Sequence, residues 1–283
     1  MTTQEPERPE FARPPVIEVA LGVQWPPVRG VWGPRISHYA ESLAGEGWKP
    51  HAEVAPVEYV EERLDGEGFW APPGFAFSVV TGVAPRLQLI RDHDDRLLQI
   101  QNGWFVYNWR KTSRSGDYPR YGMVKEEFNR QLAILREFAE RNTWNLPQPT
   151  LWEVTYVDRI EQGTVWQDPS DWARALPGLI GGAALSQSVQ EETAQIQRTY
   201  RLPGNIGRLY VNLQHVLSAA PLNPAEEPLE SLQITFTARG PLPSATGWSE
   251  LENMFAGGHA AIVELFKAVS SETAKDYWRG RAQ

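Results

Sequence analysis

Leu97-Leu98-Gln99-Ile100-Gln101-Asn102-Gly103-Trp104-Phe105-Val106-Tyr107-Asn108-Trp109-Arg110 decides the fold of this chain. Apolar and polar residues alternate on both sides of Asn102-Gly103, and Asn-Gly between alternating runs is the strongest short-range hairpin signal. The expected turn is type I′, which needs positive φ at both central residues. Leu87 to Arg91, joined through the polar turn Asp92-His93-Asp94-Asp95, adds a further strand. Downstream, Met123 to Asn142 carries Phe128, Leu132, Leu135 and Phe138 at helical spacing, which predicts a long amphipathic helix packed on the sheet. Upstream, Val16 to Trp25 alternates Ile17, Val19, Leu21, Val23 and Trp25 with smaller or polar residues, the pattern of a half-buried strand. Proline pairs bracket it, and proline cannot donate to a ladder. Ile36 to Ala44 reads as a short helix ended by Gly45 and Gly47, and residues 51–85 carry no decisive pattern.

The order then repeats. Pro149-Thr150-Leu151-Trp152-Glu153-Val154 echoes Pro14-Pro15-Val16-Ile17-Glu18-Val19, Ser170 to Leu176 echoes Ser37 to Leu43, and Arg208 to Gln214 resembles Arg96 to Gln101. Leu232 to Ala238 is another strand. Ser249 and Glu252 have capping-box spacing before a helical face of Phe255, Ile262, Phe266 and Val269. The expected fold is therefore α+β: two pseudo-symmetric units, each strand, helix, three to four strands and long helix, forming a curved antiparallel sheet with long helices on one face. Two layouts fit, a saddle like that of the TATA-binding protein and a helix-grip sheet wrapped around a long helix. Neither carries functional weight by itself. Residues 1–13 read as a flexible tail, 14–146 as the first unit and 147–283 as the second, with the boundary near Leu146-Pro147-Gln148.

Composition limits the function classes. The chain has 283 residues, 41% apolar and 22% charged, with 12 Trp, which is globular and long enough for a core that needs no staples. It has no Cys, so disulfides, thiolate metal sites and cysteine nucleophiles are excluded. No window approaches ~18 consecutive apolar residues and the N-terminus has no secretory pattern, so a cytoplasmic protein without membrane insertion is expected. The net charge of −8 disfavours general binding to phosphate backbones. No phosphate-binding loop, dinucleotide fingerprint or nucleophile elbow occurs, and His38, His51, His93, His215 and His259 show no metal-ligand spacing. Neither a cofactor nor a metal is expected.

Three stretches in order, Pro14-Pro15-Val16-Ile17-Glu18-Val19, then Asn108-Trp109-Arg110-Lys111 with Tyr118-Pro119-Arg120-Tyr121, then His259 to Phe266 leading to Trp278, resemble a sporadically distributed bacterial family of uncharacterised proteins. The resemblance runs nearly end to end. It implies no activity, cofactor or catalytic residue, and its sporadic occurrence implies an accessory role such as defence or mobile-element biology.

Two candidate sites emerge. In the segment Trp104 to Lys125, aromatics interleave with basic residues, and Trp104, Asn108, Trp109, Arg110, Lys111, Tyr118, Arg120 and Tyr121 form a candidate surface for a protein partner or small anionic ligand. Nucleic acid is possible and not favoured. The bland reading makes alternate aromatics core and pairs the arginines with the chain's own carboxylates. Glu18 and Glu153 occupy matching places on the first strand of each unit, where a shared axis would bring two carboxyl groups together for acid-base chemistry. Otherwise each answers an arginine. His259 beside Gly257-Gly258 lies where a backbone could approach closely or the helix could break. The leading expectation is a non-enzymatic binding or interaction protein. The alternatives are an enzyme with a carboxylate or metal-assisted site between the two units, involving Glu18 and Glu153, and a small-molecule carrier with an apolar cavity.

Overall fold

A computed structural model describes residues 11–28, 30, 32–64, 85–181, 189–217, 230–243 and 245–280. The fold is mixed α+β. Among the described residues nine strands form one antiparallel sheet: β1 (Val16–Gln24), β2 (Lys49–Val54), β3 (Arg86–Arg91), β4 (Arg96–Gln101), β5 (Trp104–Arg110), β6 (Leu151–Glu161), β7 (Gln195–Arg201), β8 (Arg208–Leu217) and β9 (Glu230–Pro241). Their order across the sheet is β2-β3-β4-β5-β1-β6-β9-β8-β7. The helices are α1 (Trp32–Ser42), α2 (Arg120–Arg141), the single turn α3 (Trp172–Ala175), α4 (Gly247–Val269) and α5 (Glu272–Trp278). No helix among the described residues is long and apolar enough to cross a membrane.

Period-two alternation assigns one face of the sheet to the core. Val19, Leu21 and Val23 of β1, Phe105, Tyr107 and Trp109 of β5, and Trp152, Val154 and Tyr156 of β6 point to the helices and are buried. Phe128 of α2 meets Phe105 at 5.9 Å between centroids and Phe255 of α4 at 5.2 Å, so the two long helices close one core. α4 runs through Gly257-Gly258 without a break. A Cβ on Gly258 would come within 2.5 Å of the Trp152 ring, so the missing side chain lets the helix seat that indole.

Several expectations are corrected. β1 is a central strand, buried from Val19 to Gln24 on both faces rather than half-buried. The Asn102-Gly103 hairpin forms, but only Gly103 has positive φ (+90°), which is not type I′. The Asn102 side chain accepts from Val28 N–H and donates to Val28 C=O, both at 2.9 Å, and a Cβ on Gly103 would meet Trp25 O at 2.8 Å. The turn is set by that clamp on the 25–28 segment. No capping box forms from Ser249 and Glu252. Ser249 lies inside α4, bonded to Thr246 O, and Glu252 pairs with Lys125. The helix echoed at 170–176 is only a turn of 3-10 helix followed by α3. Of the expected 1–13 tail, residues 1–10 lie outside the described residues. Phe11 is buried against Phe266 and Trp278, and Arg13 N–H bonds Trp278 O at 2.8 Å, so residues 11–13 are anchored to the C-terminal helix and not a free tail.

Candidate functional site

The aromatic-basic segment divides where β5 ends. Within β5 the pleat sends Trp109 into the core at 1% exposure, while Trp104, Asn108 and Arg110 lie on the opposite face. Asn108 donates to Glu18 Oε1 and accepts from Gln99 Nε2 at 3.0 Å, Arg110 Nε donates to Asp94 O at 2.8 Å, and Arg114 pairs with Asp94. Lys111 is exposed. For this part the bland reading describes the contacts. Tyr118, Arg120 and Tyr121 go elsewhere, over the start of α2.

There they line a pocket of about 400 Å³ between α2, α4, β6 and the entry to β1, with Phe11, Ile262, Val263 and Phe266 as apolar wall and Lys267 at its edge. The Tyr118 ring packs at a tilt on Trp109, 5.1 Å between centroids, which ties the pocket to the core. Its hydroxyl lies 3.3 Å from that of Tyr156, which in turn lies 2.9 Å from His259 Nδ1. The His259 ring stacks on Tyr121 at 3.8 Å and 8° between planes. Burial, with Lys125 nearby, pushes His259 down to about 4, so the ring is neutral at pH 7 and one of its nitrogens accepts. Burial likewise raises Tyr118 to about 12 and Tyr156 well above its ordinary value.

Asp158 completes the site. The inward positions of β6 are Trp152, Val154, Tyr156, Asp158 and Ile160, so a carboxyl occupies a core position between Tyr156 and Ile160. It is 3% exposed, its Oδ1 has no hydrogen-bond partner among the described residues, and desolvation pushes it up to about 7. At the pocket mouth, Arg120 has φ +75°, a conformation costly for a side chain with a Cβ, and its guanidinium lies 5.7 Å from the centre of the Tyr118 ring. α2 starts there with Pro119 as N-cap, without a side-chain cap and without an acid in its first turn.

A scan against protein-family models and searches of curated proteins and solved structures find no significant match to the chain.

Glu18 and Glu153 are not brought together. They share a sheet face, but the register places Glu18 opposite Val157 and Glu153 opposite Gly22, four positions or about 13 Å apart along the strands. Each has its own partner, Asn108 for Glu18 and Thr155 with Arg239 for Glu153. Burial raises both pKa values. The antiparallel offset of β1 against β6 is what separates them.

Proposed function

We propose that the chain is a non-enzymatic binding protein that takes a small anionic molecule with an apolar body into the pocket of Tyr118, Arg120, Tyr121, Tyr156, Asp158 and His259. The observation that carries this reading is the unpartnered oxygen of Asp158 at a buried position: a buried polar atom needs a partner, and the described residues supply none. At neutral pH a carboxyl with a pKa near 7 is partly protonated and donates to a ligand oxygen. Arg120 suits the anionic end, and Phe11, Ile262 and Phe266 the body between.

Mass spectrometry of the denatured native protein, followed by calorimetry with monocarboxylates and phosphomonoesters of pocket size, tests the proposal. Binding should disappear in Arg120→Ala with little change in Tm. A panel that neither co-purifies nor binds, with Asp158→Asn indistinguishable from wild type, would sink it. A second reading, acid-base catalysis, is favoured by the Tyr118, Tyr156 and His259 hydroxyl-imidazole chain. Turnover of a bound ligand, lost in His259→Gln, would select it.

We also read the sheet as two units, 14–146 and 147–283. Support comes from the strand order, which sets β1 and β6 side by side at the centre with the later strands of each half outside them. α2 and α4 packed side by side on one face favour the saddle-like layout over a sheet wrapped round one helix. The accessory role implied by the bacterial family rests on the three sequence stretches, and partners recovered from the native host would test it.

A further inference from the structure

Residues 55–64 leave β2 and cross the sheet face opposite the helices as an extended strap whose backbone is read by side chains. Gln101 of β4 accepts from Val57 N–H at 2.8 Å and donates to Val57 C=O at 2.6 Å. Gln24 of β1 does the same for Val60, at 3.0 and 2.6 Å. A primary amide that both donates to and accepts from one residue reproduces the bonds of a strand pair and ignores the side chain it reads. Beyond them, Glu62 is 9% exposed in a seat of Arg208, Arg239 and Tyr210: Arg239 Nε is 3.1 Å from one oxygen, and the Tyr210 hydroxyl donates to the other at 2.8 Å, where Arg208 also pairs.

The strap is held mainly by polar contacts, its apolar residues Pro56, Val57, Val60 and Leu64 being only half-buried. Of residues 55–64 only Glu62 is buried, and Tyr59 is 43% exposed. A buried ion pair gains little net stability against its desolvation, so the strap is specified more than it is stabilised. The same contacts are open to another extended segment of the same chemistry.

We infer that this track is an interaction surface for an extended acidic peptide of a protein partner, and that the chain's own strap occupies it in cis. The peptide it fits presents backbone at two positions three residues apart and a carboxylate two residues further on, the spacing of Val57, Val60 and Glu62. The surface is independent of the pocket.

The test uses the full chain and a fluorescein-labelled peptide of residues 55–64 in fluorescence anisotropy. Glu62→Lys places a like charge in the arginine seat and expels the strap. The peptide should bind this variant about tenfold or more tightly than wild type, and adding Arg208→Ala should remove that gain. Equal binding to both proteins, or none to a variant with wild-type circular dichroism, overturns the inference. Should Glu62→Lys not fold, saturating peptide on wild type should speed hydrogen exchange at Val57 and Val60, and unchanged exchange overturns it equally.

Discussion

Two buried carboxyl groups on opposite faces of one sheet are treated in opposite ways. Glu62 has both oxygens engaged by Arg208, Arg239 and Tyr210, and it fixes a segment across the strands. Asp158, desolvated at an inward position of β6, keeps one oxygen without a partner among the described residues and is pushed up to about 7. Burial alone therefore does not mark a ligand site here. The first carboxylate is answered from within the chain; the second has one oxygen that no described residue answers.

The largest effect expected is from removing the answer. Arg239→Ala takes a partner from both Glu62 and Glu153, and urea unfolding should show a loss of about 3 kcal/mol, as for a buried pair broken on one side. Asp158→Asn should act in the opposite sense: at pH 8 it removes a desolvated charge and should gain about 2 kcal/mol while keeping an N–H donor for the ligand. A loss of stability there would mean that Asp158 is paired after all.

The same contrast is sharpened by pH. Asp158 is raised on folding from 3.8 to about 7, so its contribution to stability is full below about pH 4 and is lost as pH rises through 7. His259 is lowered from 6.5 to about 4, so its contribution is present above about pH 6.5 and is lost as pH falls through 4. In wild type the two oppose each other across that window. Asp158→Asn should leave a protein that weakens on acidification from pH 6.5 to 4, and His259→Gln one that strengthens, as read by urea midpoints. The smallest effect is expected at Glu18→Gln, which keeps an acceptor for Asn108 and should change stability by no more than about 0.5 kcal/mol.

What was legible in the sequence was local. Alternation around Asn102-Gly103, the 3.6 spacing of Phe128, Leu132, Leu135 and Phe138, and the Val16 to Trp25 run each appear as strand or helix because those periods are fixed by neighbours in the chain. The hairpin's turn type was not legible, because Val28, 74 residues away, holds Asn102. The strap has no period, and its anchors lie 36 to 177 residues away in sequence. Trp104 to Tyr121 reads as one surface, but the pleat of β5 and the start of α2 split it. Asp158 did leave a signal: extending the alternation of Trp152 and Val154 through Tyr156 puts a carboxyl at the next inward place.

The central position of β1 has a consequence for synthesis. Both of its ladder partners come later in the chain, at residues 104–110 and 151–161. On the ribosome, Val16–Gln24 emerges as an apolar strand with two open edges and acquires its second neighbour only after more than half the chain has been made. Such non-local pairing slows folding and exposes the nascent strand to wrong partners, so the middle of the finished sheet is the part that waits longest.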